Sequence, residues 1–188
     1  MADSLRGQDN WRLFTKAKMM ISMAHEGLDC VPRLARTDAI DYYNQRIVLC
    51  KQEVTIRLAN QYLLGKIKGP CKLLTTSQTT QERGLHRTYT NTTVGSMVPD
   101  NIIQVKRGMV LRILDNVGHE SYLNINHRVL LLQISRDTLT VTPIDGSRKG
   151  MDVILRRLVY GGLSSEGVLN AGSFIQYPVM GGFAEIET

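Results

Sequence analysis

No stretch of this chain carries the eighteen or so uninterrupted apolar residues that a membrane-crossing helix needs, and apolar runs such as 129–132 are strand-length at most. Cysteine is scarce. Cys30, Cys50 and Cys71 are odd in number and include no C-x-x-C pair, so neither a disulfide framework nor a zinc site is expected. The first residues, MADSLRGQDNWRLF, lack the apolar core of a secretory signal, and Ala2 stands where N-myristoylation needs glycine. These features set an expectation of folding in the cytoplasm or nucleus, which makes the Asn91-Thr92-Thr93 sequon a plain polar loop. Nucleophile-elbow, phosphate-loop and dinucleotide fingerprints are missing, as are H-E-x-x-H and the RNA-recognition, KH and zinc-finger signatures. There is no internal repeat and no low-complexity tract.

Basic residues are also missing from one end. Nothing after Arg157 is basic, while residues 1–87 hold 14 Lys/Arg against 8 Asp/Glu, and residues 88–188 hold 9 against 9. The whole net charge of +6 therefore sits in the first half, which is the half suited to phosphate or anionic headgroups. A basic front and an acidic end also favour self-association by electrostatic steering. A chain of 188 residues with 43% hydrophobic residues can bury one sizeable core.

Along the chain, Asp9 or Asn10 can cap a helix over 11–26 that stops at Gly27. Its apolar stripe of Trp11, Phe14, Ala17, Ile21 and Ala24 is widened by Met19, Met20 and Met23, and is read as core or a subunit contact. A second short helix spans 36–46, capped by Thr37 or Asp38. From there the texture reads as β. Val54, Ile56 and Leu58 alternate with polar residues, and strands are expected at 71–75, 102–105, 109–114, 121–134 and 138–144. The segment 151–162 fits a strand or a short helix equally, and the tail reads as a closing edge strand broken by Pro178 and Gly181-Gly182. The fold expected is α+β, mainly β: an N-terminal helical segment (1–46) followed by a β-rich body (47–188) forming an antiparallel sandwich or barrel.

The segment 110–134 places Asp115, His119, Glu120 and His127 close together in sequence. Read as strands, it sets His119 and Glu120 in a hairpin turn and His127 well along the next strand. On an extended chain the two histidines lie on the order of 25 Å apart, too far to share a metal. No second cluster supplies the missing ligands, so a hairpin tip is favoured over a metal or catalytic site, and no cofactor is expected. For nucleic acid or an anionic surface the candidates are Arg12, Lys16, Lys18, Arg33, Arg36, Lys66, Lys68, Arg83, Arg87, Lys106 and Arg107. Several fall in turns, where they would read backbone phosphate rather than sequence. Arg83, His86, Arg87 and Tyr89 sit in a long Thr/Ser/Gln/Asn-rich segment that is read equally as a nucleic-acid contact or a solvated loop.

In overall character the chain resembles an RNA-virus structural protein, specifically the compact matrix proteins of plant-infecting rhabdoviruses: a leading helix, a β-rich body and basic pairs in turns. It lacks their animal-virus relatives' lysine-rich arm and their P-P-x-Y and P-T-A-P budding peptides. The resemblance implies a non-enzymatic virion protein that self-associates and engages a nucleocapsid, its RNA or an anionic membrane, in host cytoplasm or nucleus. A second resemblance, to the thirty-kilodalton movement proteins of plant viruses, is carried by Ile113-Leu114-Asp115 with Gly167 or Gly172 downstream. It implies single-stranded nucleic-acid binding, with Asp115 as the residue carried over. A cryptic metal-dependent hydrolase using His119, Glu120 or His127 is the reading from another class.

Overall fold

The computed structural model describes residues 17–78, 98–117, 123–160 and 174–187. The chain is mixed helix and strand, with most of its elements in sheet. Helix α1 occupies residues 17–24, and the chain turns through Gly27, whose φ is +79°. A 3-10 turn at Val31–Arg33 leads into α2 (Arg36–Asn44). Neither Thr37 nor Asp38 caps α2; the N-cap is Ala35, without a side-chain hydrogen bond. Strand β1 (Val48–Cys50) runs directly into α3 (Glu53–Lys66), the longest helix among the described residues.

That helix corrects the β reading of its segment. Ile56, Ala59, Asn60, Leu63 and Leu64 are buried at the 0, 3, 4, 7, 8 spacing of one helical face. Val54 and Leu58, which a strand would place beside Ile56, are 59% and 48% exposed. The local alternation is real, but the longer stripe decides, because it matches the apolar surface available beneath it. Helical structure thus continues past residue 46.

The remaining strands are β2 (Lys72–Thr75), β3 (Ser77–Gln78), β4 (Ile102–Val105), β5 (Val110–Ile113), β6 (Arg128–Ile134) and β7 (Leu139–Pro143). After them come β8 (Val153–Leu155), β9 (Leu158–Tyr160), β10 (Phe174–Gln176), β11 (Val179–Gly181) and β12 (Ala184–Ile186). The segment 151–162, which fits helix or strand by pattern, thus holds the two short strands β8 and β9. Among the described residues the strands divide among four small sheets: β11-β5-β6-β7-β8, β3-β10-β9, β2-β4, and the parallel pair β1-β12. Among the described residues no sheet closes into a barrel.

The apolar strand β6 is central in the five-stranded antiparallel sheet, as its composition suggests. Val129, Leu130 and Leu131 join Val110, Leu111, Ile113, Leu139 and Val141 in the core, onto which Leu28, Val31, Ile40 and Tyr43 pack. The strand expected at 121–134 is shorter in the structure: it begins at Arg128, and Asn126 turns the chain just before it with φ +71°. His127 therefore ends a turn rather than lying along a strand.

Two buried polar side chains stitch the layers. Asn60 of α3 donates to Gly181 O at 2.9 Å and accepts from the amides of Phe183 and Ala184. Arg128 donates from Nε to Gly182 O (3.0 Å), from Nη1 to Tyr43 O (3.1 Å) and from Nη2 to Arg46 O (2.9 Å). Gly182 is required at that junction, since a Cβ there would stand 2.6 Å from the Leu111 carbonyl carbon.

Candidate nucleic-acid interface

Three segments meet around a cleft of about 800 Å³: Pro32 of the 3-10 turn, the stretch Lys68 to Lys72 that leaves α3, and Leu132, Gln133 and Ile134 of β6. Arg107, in the turn between β4 and β5, completes its wall. A second recess of about 370 Å³ shares Pro32, Arg107, Leu132 and Gln133 and adds Arg36 and Asp152, so the two adjoin and together make the groove.

The turn that carries Arg107 is held tightly. Gly108 has φ +82°, and its amide donates to Leu131 O at 2.8 Å while its carbonyl accepts from the buried Tyr43 hydroxyl at 2.7 Å. A Cβ at this position would lie 2.9 Å from Pro32 Cα, so glycine lets the turn lie directly on the groove wall. Burial raises the Tyr43 hydroxyl pKa well above its ordinary value, which keeps it a donor.

The sequence-derived basic residues separate into distinct roles. Lys68 pairs with Asp29 at 2.9 Å, and that hydrogen bond and charge hold the Asp29 carboxyl below its ordinary range. Arg36 pairs with Asp152 at 2.6 Å and donates to Gly150 O. Arg107 and the exposed Arg33, flanked by Pro32 and Leu34 of the wall, form no ion pair with any described residue. Lys72 is not among the candidates drawn from sequence. It lines the cleft and its ammonium donates to Ser135 O at 3.4 Å. Lys106 turns away: its Nζ donates to Ile67 O at 2.7 Å, closing the C-terminal end of α3.

Lys18 and Lys66 gather elsewhere, over the ring of Tyr62 at 5.5 and 5.2 Å from its centroid. A hydrogen bond with Ser22, then that with Lys66 and the two lysine charges, lowers the Tyr62 hydroxyl pKa. This half-exposed aromatic between two cations is a basic–aromatic pairing where two helices meet. Arg12, Lys16, Arg83, Arg87, His86 and Tyr89 lie outside the described residues, as do His119, Glu120, Gly167 and Gly172.

Of the polar cluster at 115–127, Asp115 is buried and accepts from the Asn116 amide at 2.8 Å. The half-buried His127 accepts at Nδ1 from the Asn124 amide at 3.3 Å. Among the described residues no group of three His, Cys, Asp or Glu could hold a metal. Of the cations that line the groove, Lys68 and Arg36 are ion-paired, and Lys72 and Arg107 have no acidic partner among the described residues.

No protein-family model matches the sequence, and no curated protein matches it. Solved structures do share the fold. Bacteroides Pif1 bound to single-stranded DNA superposes with a TM-score of 0.53 at 12% identity, over 76% of this chain and 31% of that one. Pif1 helicases that coordinate in pairs to unwind forked duplex DNA match with a TM-score of 0.53 at 13% identity, over 88% and 36%. Pif1 helicase from Candida albicans gives 0.52 at 13%, over 75% and 35%. The chain spans about a third of the length of these helicases. The matches overturn the likeness to viral matrix and movement proteins, and with it the expectation of a non-enzymatic virion protein. That likeness rested on composition and basic pairs, which do not determine topology; the topology is shared with part of a DNA-unwinding enzyme.

Proposed function

We propose that the chain is a single-strand-holding part of a nucleic-acid motor enzyme of the Pif1 helicase kind. In this reading the groove lined by Lys68, Lys72, Arg107 and Arg36 tracks the phosphate backbone. The observation that carries it is the groove itself: four cations from three separate segments line two adjoining recesses that share Arg107. With Arg33 beside them, three of these five cations have no acidic partner among the described residues. The fold shared with a helicase bound to single-stranded DNA supports the same assignment. Such binding needs no base-reading side chain and is salt-dependent, because each neutralised phosphate releases counterions. Self-association enters in the same way: two copies on one strand would parallel the paired Pif1 helicases at a fork.

Fluorescence anisotropy of a labelled oligo-dT strand, titrated at several salt concentrations, tests the reading. Arg107→Glu and Arg33→Glu are each expected to weaken binding several-fold and to reduce the salt slope by about 0.7 for each phosphate no longer neutralised. Unchanged affinity and slope in both variants would show that the groove is not the strand's site.

A further inference from the structure

Helix α3 buries Ile56, Ala59, Asn60, Leu63 and Leu64, and Tyr62 lies beside that stripe, half-exposed where α1 meets the last turns of α3. Two ammonium groups approach its ring, Lys18 Nζ at 5.5 Å and Lys66 Nζ at 5.2 Å from the centroid. Ser22, one helical turn on from Lys18, hydrogen-bonds the Tyr62 hydroxyl, as does Lys66. The charges of the described residues that act on that hydroxyl are the two lysines', with no carboxylate among them. Lys66 makes no ion pair with any described residue. Like charges gathered at one ring repel, and an anion placed between them relieves that repulsion. A cation at an exposed ring is weakly held, so either ammonium can leave the ring for a phosphate.

This seam between α1 and α3 adjoins the groove. Only Ile67 separates Lys66 from Lys68, and its backbone is extended, with φ −67° and ψ 127°. Two extended residues span at most about 7 Å, which about two nucleotide steps of roughly 3.4 Å cover. Lys68 lines the cleft, and its bond to Asp29 ties that wall to the turn that follows α1. Among the described residues no aromatic side chain lines either recess of the groove, so a ring is what the seam adds. Sites for single strands combine cations that follow the backbone with an aromatic face on which a base stacks, and at Tyr62 the two occur together.

We propose that Lys18, Lys66 and Tyr62 form a second contact for single-stranded nucleic acid, which continues the path of the groove along the seam between α1 and α3. The ammoniums take backbone phosphates and the ring takes a base. The inference rests on the reading of the groove as a strand site and adds an anchor of different chemistry. That anchor accepts any base, because every base has a π face.

Fluorescence anisotropy of the full chain tests this with two labelled strands, an oligo-dT of about 20 nucleotides, longer than one site, and an abasic strand of the same length. Tyr62→Leu is expected to weaken oligo-dT binding roughly fivefold or more, while Tyr62→Phe, which keeps the ring, stays within about twofold of the parent protein. On the abasic strand both variants should bind as the parent protein does. Lys18→Gln and Lys66→Gln should weaken binding to both strands and each reduce the salt slope by about 0.7. Melting temperatures of the same variants separate binding from folding. If the cluster serves only to hold α1 against α3, Tyr62→Leu lowers the melting temperature and leaves oligo-dT affinity unchanged, which overturns the proposal. Equal losses for Tyr62→Leu on the two strands overturn it as well, since no base is then held by the ring. Arg107→Glu, run in parallel, keeps the two readings apart. A loss there with unchanged binding in the Tyr62 and lysine variants removes the seam and leaves the groove. The reverse pattern removes the groove and leaves the seam as the strand's site, and a parent protein that binds no oligo-dT at low salt overturns both.

Discussion

Replacing Arg128 tests whether one buried guanidinium holds the layers of this protein together. The side chain is 9% exposed and bonds three carbonyls: Gly182 before β12, and Tyr43 and Arg46 at the end of α2. In Arg128→Met the volume is nearly kept and all three bonds are lost. Each charge-assisted bond is worth roughly 1.5–3 kcal/mol, so the gross loss is on the order of 4–9 kcal/mol. Two effects oppose it. The guanidinium no longer has to be desolvated, which recovers several kcal/mol, and the like charge of Arg112 opposite is relieved. The net expectation is a destabilisation of about 2–4 kcal/mol, a large share of the roughly 5–15 kcal/mol typical of a domain. Arg128→Lys keeps the charge but brings one compact donor group that cannot span three carbonyls, so it should rescue little. Urea unfolding followed by circular dichroism gives the numbers. A Met variant within about 0.5 kcal/mol of the parent protein, or a Lys variant equal to it, would refute the reasoning.

Two further outcomes are expected. His25 is buried between Tyr42 and Phe183, and its ring nitrogens have no hydrogen-bond partner among the described residues. Burial first, then the charges of Arg46 and Arg128, lowers its pKa from 6.5 to about 4. Above pH 6.5 the imidazole is neutral folded or unfolded. Below it only the unfolded chain takes up the proton, so stability is lost as pH falls from 6.5 towards 4, by about 3 kcal/mol at most. His25→Leu should flatten the pH dependence in that window relative to the parent protein, and parallel curves would remove His25 as the cause. Gly108→Ala is expected to cost about 1–3 kcal/mol, because φ is +82° and the new methyl would press on Pro32. Differential scanning calorimetry measures that loss, and the shifted Arg107 turn should weaken oligo-dT binding in the same variant.

The sequence alone settled what local chemistry controls. Gly27 marks a real turn, α2 lies over the residues expected of it, and β2, β4, β5 and β7 lie within a residue or two of their expected positions. The apolar composition of β6 placed it at the sheet centre, because a run of Val and Leu needs cover on both faces. The concentration of positive charge in the first half was visible too, and the groove draws Arg36, Lys68 and Lys72 from it.

Tertiary structure decided the rest. In 53–66, periods of 2 and 3.6 competed over the first few residues. The helical stripe prevailed because its buried positions face a surface formed by strands more than a hundred residues away. Which lysines reach solvent was equally non-local. Adjacent in sequence, Lys106 closes a helix end while Arg107 faces the groove, and the carbonyl of Ile67 is what separates their roles. The pairing of Arg112 with Arg128 is a matter of strand register. The likeness to known structures turned on the same point. Basic pairs and β-rich composition are compatible with many proteins, whereas the fold into which the strands assemble is what the chain shares with the helicases. Composition states how much charge and apolar surface a chain carries; contacts across long loops state where they end up.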